Sequence, residues 1–285
     1  MSSGRALVRV AHAGPVATLT LARPVMHNAL VPDLLLDLCV ALEQIGRRSS
    51  TRAVVLAADG EAFSIGGDMR RFAVEMAGPA LHTYAAELVG LLNQAVLALL
   101  RLRQPVVAAV HGHVTGGSLG LVLACDLAVM ADEAVFKAHY ASAGFTPDGG
   151  WTALLPRLVG ARRAASCLLL NRRLDARQAL DWGVVNEVVP AAEVAAAARR
   201  VAQRVAGAPE ATMRETKRLL AGAGADGLAA IEAALEAERQ RFVAAIGEPA
   251  AREGVAGFLR RFSAYPDERP YPDDRPVVDP LRCSS

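Results

Sequence analysis

Apolar positions in the first half of the chain form two kinds of run. Residues 6–10, 16–21, 54–58, 106–110 and 127–131 are short runs rich in Val, Ala and Leu and predict buried strands. Residues 32–47, 81–102 and 117–125 carry longer apolar patterns and predict helices. Strands alternating with helices predict an α/β layered core. Beyond residue 150 the pattern is mainly helical, over 160–170, 175–182, 191–205, 209–220, 228–244 and 248–261, with one short strand over 184–189. The chain thus divides into a core over 5–190, a helical region over 191–262 and a Pro-rich tail over 263–285 that cannot form a core of its own.

The apolar run before residue 110 leads into His111, Gly112, His113, then Gly116, Gly117 and Gly120, and on into the helical pattern. The layout is strand, glycine-rich turn, helix start. First-turn amides have no intrahelical partner and carry the positive end of the helix dipole. Gly116 and Gly117 have no side chain to keep a ligand atom away from them. Such a turn stabilises negative charge, either a phosphate or an oxyanion. The phosphate motifs do not fit. A P-loop has Lys then Ser or Thr after its last glycine, where this chain has Leu121 and Val122, and the spacing departs from G-x-G-x-x-G. A tight turn with glycines for packing is an equal reading of this loop by itself. A second strand, over 54–58, leads to Gly66, Gly67 and Asp68 and another helical run. Two such turns can each supply one N–H to the same oxygen, as a two-amide oxyanion hole requires.

The segments LTLARP at 19–24, NAL at 28–30, AFSIGGD at 62–68, GHVTGG at 112–117, CD at 125–126, GFTPDGG at 144–150, LPR at 155–157 and DWGVV at 181–185 stand in a characteristic order and spacing. Together they resemble the crotonase (enoyl-CoA hydratase/isomerase) superfamily over roughly residues 5–262, closest to isomerase-type members with a Pro-Asp acid/base loop. The resemblance implies a spiral of ββα units and a C-terminal helical trimerisation region, hence a homotrimer or homohexamer. It implies that the amides of Gly67 and Gly117 hold the thioester carbonyl of an acyl-CoA and stabilise its enolate. The backbone around Val25, Met26, Ser64, Ile65 and Gly66 would receive the adenine and pantetheine portions, with Gly116 beside the carbonyl. Arg23 would contact a phosphate, or would be a solvated turn residue. A neighbouring subunit's C-terminal helix would complete the site, with Arg260, Arg261 and Phe262 as contributors. No cofactor is expected, because coenzyme A is part of the substrate.

An acid/base residue must then move a proton. The two hydratase Glu positions fall at Gly120 and Tyr140, neither a carboxylate, which weakens hydration. Asp148 is the acid left, in an apolar neighbourhood with Phe145 and Trp151. Desolvation there would raise its pKa and suit it to base chemistry near neutrality. Read locally, Pro-Asp-Gly-Gly is also a turn with Asp as a helix N-cap. By resemblance, isomerases place their acid/base Asp here, and one carboxylate suffices to move a double bond between the 3,4 and 2,3 positions. Tyr140 would line the acyl pocket or donate a hydrogen bond. His111 and His113, by strand alternation on one side, are read as structural; Asp68 as a capping or loop-fixing residue; Asp126 as a backbone anchor. The alternatives are another enolate reaction of the superfamily (hydration, decarboxylation, thioester hydrolysis) and a non-catalytic acyl-CoA-binding subunit.

Composition narrows the classes. A net charge of +2 gives no case for nucleic acid. Hydrophobic residues are 53% of the chain, yet no stretch reads as long and apolar enough to span a bilayer, and a signal peptide's apolar region is missing, so a cytoplasmic location is expected. Cys39, Cys125, Cys167 and Cys283 show no metal-ligand spacing, and no metal is expected.

Overall fold

The computed structural model describes residues 6–221 and 225–264; the tail beyond residue 264, with Cys283, and the side chains of Arg261 and Phe262 lie outside the described residues. The expected α/β architecture is present. Its strands are β1 (Val8–Ala13), β2 (Val16–Leu21), β3 (Ala53–Ala58), β4 (Val106–Val110), β5 (His113–Thr115), β6 (Leu127–Ala131), β7 (Val135–Lys137), β8 (Leu174–Asp175) and β9 (Glu187–Val189). Six form one sheet in the order β1-β2-β3-β4-β6-β9; β5, β7 and β8 form a second. From β2 to β9 the large sheet is parallel, with β1 antiparallel at its edge. All five residues of β4 are buried, as the continuous apolar run demands of a central parallel strand.

The helices are α1 (Pro32–Arg47), α2 (Met69–Met76), α3 (Leu81–Arg101), α4 (Leu119–Leu123), α5 (Tyr140–Ala143), α6 (Leu155–Val159), α7 (Ala161–Leu169), α8 (Ala176–Asp181), α9 (Val194–Gly207), α10 (Glu210–Leu220), α11 (Ala225–Ala245) and α12 (Pro249–Ala264). Helix α9 lies across β2, β3, β4 and β6, and α1 packs on β1, β2 and α3. Contrary to the sequence reading, α3 is long and apolar enough by length and composition to cross a membrane. Its Leu88, Val89, Leu92, Val96 and Leu99 are buried in the hydrophobic core.

The C-terminal helices fold back on their own core. Helix α11 packs along α3, and α12 packs on α2 and α5. Small residues permit that second contact. A Cβ on Gly254 would stand 2.1 Å from the Ala143 oxygen, and one on Gly144 2.3 Å from the Ala250 oxygen. Strand β1 begins later than its apolar run predicts, and β5, β7, β8, α5 and α6, each five residues or fewer, were not anticipated. Pieces this short carry no periodicity of their own, and pairing partners define them.

Candidate active site

Strands β3 and β4 are parallel neighbours, so both chains leave the sheet at the same edge. That is where the two glycine turns meet. Ser64 bridges to Val114, with Ser64 N donating to the His113 oxygen at 3.2 Å and Thr115 N to the Ser64 oxygen at 3.1 Å. Gly66 and Gly116 then approach so closely that a Cβ on Gly66 would stand 2.7 Å from the Thr115 oxygen and 3.5 Å from the Gly116 Cα. Both adopt positive φ, +77° and +53°, which glycine reaches without strain. The bridge between Leu30 and Gly67 uses the Gly66 oxygen and the Asp68 amide, leaving the Gly67 N–H outside it. Gly67 and Gly117 both line a cavity of about 430 Å³, within the usual range for a small-molecule site.

Asp148 reaches the same cavity through backbone-to-backbone packing. A Cβ on Gly149 would lie 2.4 Å from the Gly117 oxygen, and one on Gly120 1.7 Å from the Gly149 oxygen. The Pro-Asp-Gly-Gly loop therefore sits directly on the second glycine turn. Asp148 Oδ1 lies 2.7 Å from where a Gly117 Cβ would be, so the carboxylate stands beside that residue. Its side chain is buried, and the Tyr140 hydroxyl donates to Oδ1 at 2.5 Å. Burial raises the Asp148 pKa to about 7; the Tyr140 hydrogen bond opposes the rise, and the charge of Glu238 adds to it. Asp148 is not a helix cap, since α6 starts only at Leu155 with Leu154 as its N-cap. Tyr140 serves in both ways expected of it, as cavity wall and as donor.

Ile65, Gly66 and Gly116 line the cavity with Gly67, Gly117, Tyr140 and Asp148. Ser64 does not; it is fully buried, and its hydroxyl donates to the Asn28 oxygen at 2.7 Å. Val25 and Met26 form a short 3₁₀ turn outside the cavity, where Val25 is 90% exposed. Arg23 is not a freely solvated turn residue. Its guanidinium donates to the Ala29 oxygen and to Asp68 Oδ2, both at 2.9 Å, and fixes the entry to the first glycine turn. Asp68 caps α2, accepting from the amides of Arg70 and Arg71. Asp126 anchors β4 through the Val106 amide at 2.7 Å and the buried Lys217 ammonium at 2.8 Å. Alternation does not link His111 to His113: Gly112, at φ +56°, ends one strand and opens another in the second sheet. His111 lies near the Gly60 oxygen at 2.9 Å, away from the cavity lining.

The sequence reading missed three contributors. Glu238 of α11 is buried and accepts from the amides of Gly150, Thr152 and Ala153 at 2.7, 2.6 and 3.1 Å. Trp151 donates through Nε1 to the Gly116 oxygen at 2.7 Å. Helix α12 of the same chain supplies Ala250, Glu253, Gly254, Gly257 and Phe258 to the cavity, so its own C-terminal region covers the site. A lone Glu in a charged helix or a Trp in a turn has no local pattern to mark it; Glu238 finds its partners where α11 meets the loop, and Trp151 where the loop meets the second glycine turn.

The Enoyl-CoA hydratase/isomerase family model matches residues 12–266. A 4-chlorobenzoyl coenzyme A dehalogenase from Arthrobacter sp. is 36% identical over 253 residues, 88% of this chain and 90% of the relative. The 1,2-epoxyphenylacetyl-CoA isomerase of Escherichia coli (strain K12) is 32% identical over 248 residues, 87% and 93% of the two chains. The crystal structure of an enoyl-CoA hydratase from Mycobacterium avium subsp. paratuberculosis K-10 superposes with a TM-score of 0.79 at 29% identity, covering 90% of this chain and 96% of its own. With its glycine turns, buried Asp148 and cavity in that shared fold, the chain belongs to the enoyl-CoA hydratase/isomerase family and is an acyl-CoA-processing enzyme of the crotonase superfamily.

Proposed function

We propose that the enzyme is an enoyl-CoA isomerase that moves a double bond between the 3,4 and 2,3 positions of an acyl-CoA. The observation that carries this reading is one buried carboxylate, Asp148, poised near neutrality beside Gly117. The amides of Gly67 and Gly117 would hold the thioester oxygen, which acidifies the carbon at position 2. Asp148 takes that proton, and the electrons delocalise into a dienolate. The same carboxyl group then returns the proton at position 4. Gly120 supports this reading against hydration: the Gly149 backbone leaves no room there for any side chain, and so none for a water-activating Glu. The test is turnover of matched 3-enoyl-CoA and 2-enoyl-CoA, read by mass and absorbance. Conversion of the 3-enoyl to the 2-enoyl form without added mass, lost in Asp148→Asn, is the expected result. A gain of one water would replace isomerisation by hydration, and silence with tight binding intact would favour a binding subunit. In this reading the enzyme assembles as a homotrimer or homohexamer, which sedimentation velocity checks.

A second reading rests on Phe72, Phe145 and Phe242, which line the cavity with ring centroids 5.3, 5.5 and 6.0 Å apart, and on the dehalogenase relative. Here the acyl group is aromatic and Asp148 is a nucleophile. Its oxygen bonds a ring carbon, a halide leaves with the bonding pair, and water cleaves the resulting ester. Halide release from 4-chlorobenzoyl-CoA separates the two readings.

A further inference from the structure

Trp151 has no part in the proton transfer, yet its buried indole is committed to one carbonyl. Nε1 donates to the Gly116 oxygen at 2.7 Å. A buried indole needs some acceptor. This acceptor belongs to the peptide unit that carries the Gly117 N–H. A trans peptide is planar, so its C=O and N–H point in opposite directions across one rigid plane, and no described peptide is cis. Holding the oxygen therefore aims the hydrogen. With glycine on both sides of this plane and Gly116 at φ +53°, no side chain of the turn restrains it. The same oxygen accepts the Leu119 amide, the local bond of a 3₁₀ turn, and the indole fills its second acceptor site from outside the turn.

The first glycine turn is held in the same manner. Leu30 N donates to the Gly66 oxygen at 2.7 Å, which sets the direction of the Gly67 N–H. One pin is a backbone amide and the other a side chain. The indole is itself held, because the Glu238 carboxylate accepts from the amides before and after it, at Gly150 and Thr152, and from the Thr152 hydroxyl at 2.5 Å.

We propose that Trp151 is a positioning residue that aims the Gly117 N–H at the thioester carbonyl, with Glu238 clamping the loop that presents it. The inference rests on the oxyanion-hole reading of Gly67 and Gly117. One clamped loop then sets the base, Asp148, and one of the two oxyanion donors together.

The test is difference infrared spectroscopy of a saturated acyl-CoA labelled with ¹³C at the thioester carbonyl, bound to the full-length protein, alongside steady-state kinetics. The carbonyl stretch of the bound ligand is expected at lower frequency than in water. In Trp151→Phe, and with the indole at 151 replaced by benzothiophene, which keeps the bicyclic shape without the N–H, most of that displacement is lost. Under the same changes kcat falls about ten- to a hundredfold while KM stays within about twofold, since a misaimed donor weakens the transition state more than ground-state binding. A purely structural Trp151 would lower the melting temperature and leave the carbonyl frequency unchanged in the benzothiophene protein; that result overturns the proposal. A wild-type spectrum with no displacement overturns the oxyanion reading and this inference with it. The infrared readout does not depend on which reaction follows, so failure of the isomerase reading alone leaves the test intact.

Discussion

In the proposed reaction Asp148 carries opposing demands. A base must be ionised, and burial resists ionisation, raising its pKa to about 7. Turnover is therefore expected to rise with pH through about 7 and to level off above it, as a profile of kcat/KM from pH 5 to 9 would show. The Tyr140 hydroxyl favours the carboxylate, so Tyr140→Phe is expected to move that inflection to higher pH. Asp148→Asn should lower kcat about a hundred- to ten-thousandfold with substrate affinity retained. The same shift links to stability. The folded pKa lies above the ordinary aspartate value of 3.8, so the protonated form is favoured in the fold. The contribution is complete below about 3.8 and lost as pH rises through about 7. Asp148→Asn, which stays neutral, should raise the melting temperature relative to wild type at pH 8 and not near pH 4.

At the scale of elements, the site is a contact between two backbone turns and one loop. Gly120 shows how tight it is, since a Cβ there would stand 1.7 Å from the Gly149 oxygen. Gly120→Ala should force the Pro-Asp loop off the turn, cost about 3 kcal/mol in urea unfolding, and cut turnover with it. Glu238 reaches this loop from α11, and Glu238→Ala would leave three amides, two of them buried, without their acceptor. The expected loss is about 3 kcal/mol or more by the same measurement. The glycine turns were legible because strand, glycine pair and helix follow one another in the chain. The clamp was not, because its partners stand far apart in sequence, joined by 85 to 88 positions.

For the molecule as a whole, the C-terminal helices wall the cavity as well as extend the fold. Helix α12 contributes Gly254, whose Cα packs against the α5 backbone. A Cβ there would lie 2.1 Å from the Ala143 oxygen, so Gly254→Ala should lift α12 from α5 and open the cavity. KM is expected to rise more than kcat falls, because Asp148, proposed as the base, and the two glycine turns sit on other elements. Initial-rate kinetics over a range of acyl-CoA concentrations checks this.

The α/β class, the long helices, the buried central strands and the two glycine turns could be read from the chain alone, because each is written in local spacing. The sequence also singled out Asp148, through the Pro-Asp-Gly-Gly segment and its resemblance. Packing of distant segments set the partners of the polar residues. Asp148 became a desolvated acid beside Gly117 rather than a cap, since the Gly149 backbone docks on the Gly117–Gly120 turn. Arg23 became an internal tie to Asp68 because the turn over 24–26 folds its guanidinium inward. Trp151 and Glu238 acquired tasks that no neighbouring residue announces. A hydrogen bond needs a partner in space, and a partner distant in sequence is set only by packing.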